Sequence, residues 1–298
     1  MDLSHNYFLK DNYLATTLVF TVLYQLSFFA VAYVNKFDKV TDFAGGSNFV
    51  LLAGLTFFLN QNQTPRSQLA TIAIILWGIR ISGFLLYRIL KTEEDKRFDE
   101  LRNDFWKFLG FWIFQMAWVW TVSLPVTVVN LEASYTPDPP LNLTTDILGI
   151  LMFLAGLIIE TISDIEKFMH RESKPKPTQI LNSGLWKYSR HPNYFGEILL
   201  WWGIYVFSLP ITSETGVLTI SSPLFITLLL LFVSGIPLSE PNMEKKFIDA
   251  GKQSEYIEYI DKTSPLIPLP NMVYKSLPRW TKFALFEFPM YRYKQKAD

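Results

Sequence analysis

The chain has no cysteine among its 298 residues. That excludes a disulfide framework, a thiolate nucleophile and a Cys-ligated zinc site. Imidazole is nearly as scarce: only His5, His170 and His191 occur, with no HExxH or paired spacing that would mark a metal centre. Charge is thin, at 18% of residues against roughly 25% in an average soluble domain. The signs also cancel, 27 against 27, so the chain lacks the basic excess that a polyphosphate partner demands and nucleic acid is not expected. No GxGxxG fingerprint is present, so a Rossmann module is not expected either. What fills the chain is apolar. Half of it is AVILMFWYC, and its 16% aromatic content suits the Trp and Tyr belts of membrane proteins.

A helix needs about 20 mostly apolar residues to cross a bilayer core. Seven runs approach that length: Tyr13 to Val34, Phe43 to Leu59, Leu69 to Leu90, Trp106 to Val129, Ile147 to Ile165, Tyr194 to Ile211 and Pro223 to Ser239. The expected fold is therefore all-α, a polytopic integral membrane helical bundle. The first run is expected to be a retained span, because little positive charge precedes it and no small-residue cleavage site follows. Lys and Arg gather after the first, third, fifth and seventh runs, which places the N-terminus outside and the C-terminus in the cytoplasm. With no repeat or linker in view, residues 1–298 read as one membrane domain. Its parts are N-terminal spans (1–66), core spans with a pocket (67–240) and a cytoplasmic extension (241–298). That extension is rich in Pro and Tyr and reads as a coil against the membrane surface. The charged stretch Thr92 to Arg102 has two readings, a solvated surface helix or part of a lid.

Charges within a span are costly and by default mark a site. Glu160 and Asp164 stand at i, i+4 in the fifth run, and Lys167 and Arg171 continue the same helical stripe. The next dense run is Gly184-Leu-Trp-Lys-Tyr-Ser-Arg-His-Pro-Asn-Tyr-Phe-Gly-Glu197. Pro192 suits a first helical turn, where its missing N–H costs nothing. Arg190 and His191 then sit at a helix N-terminus, where free N–H groups and the dipole favour an anion such as phosphate. Asn193, Tyr194 and Glu197 share one face by spacing. The alternative for Trp186, Tyr188 and Arg190 is an interfacial belt that anchors headgroups. On the third run Arg80 and Tyr87, seven apart, also share a face.

These stretches resemble a known family. The segment Gly184 to Glu197, Glu160-xxx-Asp164, LWGIRISGFLLYRILK followed by EEDKRFDELRNDFWKF, Ser234-Gly-Ile-Pro237 and Tyr256-xx-Tyr259-xxx-Thr263-Ser-Pro-Leu-Ile-Pro268 are together similar to the domain-of-unknown-function 1295 family, within the steroid 5-alpha-reductase superfamily. The resemblance runs from about Trp77 to Pro270. It implies a helical membrane fold with NADPH in a cytoplasm-facing pocket and hydride transfer to an activated double bond. By position it assigns Asp164, Lys167, Arg171, Trp186, Asn193 and Glu197 to the cofactor, with Glu160, Glu240 and Tyr259 as further members. Glu160 stands where the steroid reductases carry an amide. The stretch Ser239-Glu-Pro-Asn-Met243 lacks their Arg and His groups, which speaks against a steroid substrate.

The expected activity is an NADPH-dependent reduction of a carbon–carbon double bond in a lipophilic small molecule: a sterol, a polyprenoid or another lipid enone. Lys167, Arg171, Lys187, Arg190 and His191 gather where the fifth and sixth runs face the cytoplasm and would meet the phosphates of the dinucleotide, with Tyr188 a further cofactor-binding candidate. Tyr87, Arg80 and Tyr194 are the candidate groups to polarise the substrate carbonyl. Two other readings stay open. RHPxYxG also occurs in S-adenosylmethionine-dependent membrane methyltransferases of the isoprenylcysteine carboxyl and phospholipid types, and the fold can also serve a non-catalytic lipid-binding protein. All three place the protein in a membrane, inner if bacterial and internal if eukaryotic.

Overall fold

The computed structural model describes residues 4–37, 39–92, 101–133, 138–141, 144–211 and 216–293. The stretch read as a surface helix or lid falls mostly outside these. The described residues form helices α1 (Ser4–Val34), α2 (Thr41–Leu59), α3 (Pro65–Thr92), α4 (Phe105–Val122), α5 (Leu124–Glu132), α6 (Thr144–Glu172), α7 (Pro192–Ser208), α8 (Gly216–Leu228), α9 (Ile236–Asp249), α10 (Gln253–Lys262), α11 (Asn271–Ser276) and α12 (Arg279–Ala284). No strand is present among them, only one isolated bridge. Five helical stretches are long and apolar enough to cross a membrane: Tyr13–Val34, Thr41–Leu59, Pro65–Lys91, Thr144–Glu172 and Leu218–Asp249. The protein is thus a helical integral membrane protein.

The remaining expected spans take other forms. The run Trp106 to Val129 divides into α4 and α5, bent by 43°, a broken sixth span or a re-entrant loop. Pro125 lies in the first turn of α5 and has no N–H to continue the α4 ladder, so the helix restarts there. The run Tyr194 to Ile211 gives α7, only 17 residues long. Its start is Pro192, in keeping with the N1 preference of proline. The last run passes from α8 through a π-helical turn, Leu229–Val233, where Ser234 N donates to Leu229 O at 2.9 Å. Pro237 then opens α9. The segment after α9 is not the coil expected from its prolines. Those prolines instead cap short helices: Pro270 and Pro278 stand immediately before α11 and α12.

The contacts divide the chain into two compact units. The first comprises residues 1–150 and 203–225. Its aromatic core joins Phe29, Phe108 and Trp112 with Ala32, Ala44 and Met116. Several polar side chains inside it are tied to one another, as a low-dielectric surrounding favours. The Gln115 amide donates to Gln25 Oε1 at 2.9 Å, and Gln25 in turn donates to Asn48 Oδ1 at 3.0 Å. Asn130 Nδ2 donates to Thr56 Oγ1 and Thr71 Oγ1 at 2.9 and 3.1 Å. Arg66 is fully buried in the first turn of α3. It is paired with Asp138 at 2.8 Å and with Asp146, and it also donates to Phe207 O at 3.1 Å.

The second unit comprises residues 151–202 and 226–298. Here α6 and α7 meet at two glycines. A Cβ on Gly156 would lie 2.6 Å from Leu200 N, and one on Gly196 would lie 2.6 Å from Glu160 N. Small residues permit this approach of two backbones, the usual route to close helix contact in lipid. A second small core, Phe247, Tyr256, Tyr259 and Ile260, joins α9 to α10. The glycine contact yields a direct expectation. Gly156→Val or Gly196→Val overpacks the crossing and costs about 1–3 kcal/mol or more. Gly54→Ala, whose Cβ meets nothing within 4 Å, leaves stability nearly unchanged. Thermal unfolding of the three variants in detergent checks this, and equal midpoints would contradict the close crossing.

Candidate functional site

The site grows from the turn that precedes α7. Gly184 takes a left-handed φ of +54°, and any side chain there would collide with the Glu166 carboxylate. That carboxylate accepts from Leu185 N at 3.1 Å and so fixes the entry into a short 3-10 turn, Gly184–Lys187. Trp186 is buried by the turn; its Nε1 donates to Ser163 O of α6 at 3.0 Å, and Lys167 Nζ lies 4.9 Å from its ring.

From Tyr188 to Arg190 the chain is stitched to the tail beyond α10. Leu269 N donates to Tyr188 O at 3.0 Å, Ser189 Oγ donates to Leu266 O at 2.7 Å, and Arg190 N donates to Ser264 O at 2.8 Å. Ser189 and Ser264 pair as a single parallel bridge. This is where the Thr263 to Pro268 stretch finds its structural purpose. It lends backbone partners to a segment that is neither helix nor sheet.

Arg190 and His191 then enter a buried ionic cluster. Arg190 Nε pairs with Glu240 Oε1 at 2.9 Å, and its Nη2 donates to Glu287 Oε2 at 2.8 Å. Its Nη1 donates to Ile260 O at 3.3 Å, while Nε is held by the ion pair without a hydrogen bond of its own. His191 Nε2 lies 3.0 Å from the same Glu240 oxygen, and Tyr274 donates its hydroxyl to Glu287 at 2.8 Å. Burial by itself would lower the guanidinium pKa of Arg190, but Glu240 and Glu287 override it and hold it above the ordinary range. For His191 burial wins over the pull of Glu240, and the pKa falls below the ordinary imidazole range. The ring is therefore neutral at pH 7. With Nε2–H donating to Glu240, its Nδ1 is a bare acceptor, buried and without a hydrogen-bond partner.

A second polar contact lies at the start of α7. Asn193 Nδ2 donates to Asp164 Oδ1 of α6 at 3.3 Å, across 29 residues of sequence. A carboxylate accepts and cannot donate, so this bond fixes which end of the amide is oxygen. Asn193 Oδ1 is buried with no donor. Two acceptors on one short segment thus lack donors: His191 Nδ1 and Asn193 Oδ1. Unsatisfied buried groups of this kind cost about 1–3 kcal/mol each, and in native proteins they point to a ligand or function.

The other expected residues are distributed as follows. Glu160 is buried on α6 one turn before Asp164, Glu197 is half-buried on α7, and Arg171 and Tyr188 are exposed. Tyr194 stacks on His191 with ring centroids 5.1 Å apart. Tyr259 is buried beside Tyr256, and Glu240 is the centre of the ionic cluster. Arg80 and Tyr87 belong to the first unit, where Tyr87 is more than half exposed and its ring lies 5.9 Å from Lys91 Nζ. Arg190, expected to bind phosphate, is committed to two internal carboxylates. Sequence reasoning missed Glu166, Ser189, Tyr274 and Glu287. Among the described residues no group of three His, Asp or Glu side chains is arranged to hold a metal ion.

A family model described as protein of unknown function (DUF1295) matches residues 28–263. The match takes in α6, the Gly184 to Glu197 motif, Glu240 and Tyr259, and ends before Tyr274 and Glu287. No curated protein and no solved structure matches the chain.

The ionic cluster generates two expectations. Glu240→Gln leaves Arg190 and His191 without their shared carboxylate and destabilises the protein by about 3–5 kcal/mol. Thermal midpoints of the variant and the parent test it, and a harmless change would contradict it. The neutral His191 adds a pH dependence. Because its folded pKa lies below the unfolded value of 6.5, its contribution is fully present above pH 6.5 and is lost as pH falls below that. Acidification from pH 7 to 5 therefore lowers the midpoint of the parent more than that of His191→Gln; parallel curves would contradict a neutral buried ring.

Proposed function

From the premise that the chain belongs to the DUF1295 family, we propose that it is a membrane-embedded NADPH-dependent reductase of a carbon–carbon double bond in a lipophilic substrate, akin to the steroid 5-alpha-reductase superfamily. One observation carries the reading: the two buried acceptors without donors, His191 Nδ1 and Asn193 Oδ1. A nicotinamide carboxamide brings an NH2 group with two hydrogens and no negative charge, which is the chemistry these acceptors ask for. They offer a carboxylate or phosphate nothing.

NADPH, when bound, supplies the hydride. The work of the chain's own residues is positional and electrostatic. Asp164 orients the Asn193 amide, and Glu240 keeps His191 in the tautomer that leaves Nδ1 free to accept. With Arg190 consumed internally, the phosphates fall to Lys167, Arg171 and Lys187, which stand on α6 and in the turn before α7. Glu160, Glu197, Tyr188 and Tyr259 frame the same region. A proton must reach the substrate carbon next to the one that takes the hydride. Of the candidate donors Tyr194, Tyr87 and Arg80, only Tyr194 belongs to the unit that holds these groups, and we assign it the polarising role.

The reading includes seven spans, with the N-terminus outside and the C-terminus cytoplasmic, as the distribution of Lys and Arg supports. That orientation puts Lys167, Arg171 and Lys187 on the side where NADPH is available.

Ligand-induced thermal stabilisation of the purified protein tests the assignment, because a ligand that binds only the folded state raises its midpoint. NADPH is expected to stabilise the parent, and Asn193→Ala to weaken NADPH at least tenfold, about 1.4 kcal/mol. Undiminished NADPH binding in Asn193→Ala contradicts the pocket. Stabilisation by S-adenosylmethionine alone contradicts the reductase and favours a methyltransferase.

A further inference from the structure

The last helical segment of the second unit is built inside out. Residues 271–293 turn four polar side chains inward: Tyr274 and Tyr291 are fully buried, Lys282 is 9% exposed, and Glu287 reaches Arg190. Tyr274 donates to Glu287, Lys282 Nζ pairs with Asp261 at 2.7 Å, and Tyr291 donates to Leu231 O at 3.0 Å. Four apolar side chains of the same segment are exposed. Met272 is 88% exposed, Trp280 74%, Phe283 55% and Val273 48%. A segment surrounded by water shows the opposite arrangement, since burial of apolar rather than polar area is what stabilises it. Scattered single exposed apolar residues are ordinary, but a contiguous set over a charged interior marks an interaction surface.

Three further observations say what covers this surface. The segment follows within one short helix and a turn of a stretch that crosses the membrane, Leu218–Asp249, so a bilayer is at hand. Its outward charges are positive: Lys275 and Arg279 are exposed among the apolar side chains, and among the described residues neither has an ion-pair partner. A cavity of about 600 Å³ opens beside them, with Arg279 and Trp280 among its lining residues and Phe283, Phe288 and Ile260 among its apolar ones. Trp and Met against acyl chains, with Arg and Lys at phosphate level, is the pattern of an interfacial anchor.

We propose that residues 271–293 form a docking surface for the anionic face of the bilayer, with lipid acyl chains on Met272, Trp280 and Phe283 and headgroup phosphates on Lys275 and Arg279. The same segment carries Glu287 and Tyr274. Docking therefore holds their carboxylate and hydroxyl against Arg190, and the lipid surface becomes part of what keeps the ionic cluster assembled. The proposal is independent of the reaction assigned above.

The natural absence of cysteine makes a clean experiment available. Met272→Cys and Phe283→Cys each introduce a unique label site, and Lys252→Cys on the exposed end of α10 serves as the control. Each purified protein carries an environment-sensitive fluorophore and is reconstituted into nanodiscs of phosphatidylcholine alone or with about one third phosphatidylglycerol, a fraction chosen to give the surface potential that basic segments sense. Labels at 272 and 283 are expected to be quenched by shallow nitroxide lipids and shielded at least threefold from iodide relative to the label at 252. Phosphatidylglycerol should deepen that shielding, and Lys275→Gln with Arg279→Gln should remove its effect. Iodide access at 272 and 283 equal to that at 252 overturns the proposal. So does shielding that appears in detergent micelles only as protein concentration rises, which would assign the surface to a second copy.

Discussion

The carboxylate of Glu240 is the constraint on which the second unit depends. It is buried, and it is shared between the guanidinium of Arg190 and the imidazole of His191. Removing such groups from water is expensive, and their mutual attraction only roughly repays it, so the cluster adds little net stability. What it adds is definition. A helix from the last membrane stretch, the residues that begin α7 and the tail through Glu287 satisfy one another only when all three are in place. The register of α7 follows from that. Asn193 follows the cluster within one turn and meets Asp164, and the donorless acceptors lie on the same short segment. The reactivity we assign to the site rests on groups that the ionic cluster holds still.

The first unit meets the low dielectric differently. It uses neutral amides in a chain from Gln115 through Gln25 to Asn48, and a hydroxyl and amide trio at Asn130. Its buried guanidinium, Arg66, is covered by two aspartates and a carbonyl. Both solutions pair most polar groups away from water within the protein, and the two donorless acceptors of the second unit stand out against that rule. They differ in consequence. A neutral network carries no titration and holds its geometry across pH, whereas the imidazole and carboxylate of the second unit couple its geometry to protons.

Much of this was legible before any coordinates. Apolar run length located the membrane helices, Pro192 marked the first turn of α7, and the charged stripe on α6 and the Asn193 motif, 29 residues apart, do touch. Run length misled where proline intervened: Pro125 split one expected span, and the prolines of the tail, read as coil formers, cap its helices. The pairing of Arg190 with Glu287 lies 97 residues apart and carries no local signature. An Arg before a helix start reads as an anion site because free N–H groups and the dipole are local facts, while the carboxylates that claim it arrive from the far end of the chain. Arg66 was invisible for the same reason, as its partners Asp138 and Asp146 lie 72 and 80 residues away.

The central claim is hydride transfer to a lipid double bond, and isotope transfer tests it most directly. Proteoliposomes given NADPH deuterated at the reactive carbon, with a panel of lipophilic enones, should yield a saturated product carrying one deuterium at the former β carbon and one solvent proton beside it. Replacing His191 by Phe should abolish the label while the protein still folds. Saturated product without deuterium, or a labelled methyl group arriving from S-adenosylmethionine in the same preparation, would contradict the assignment of this site to a reductase.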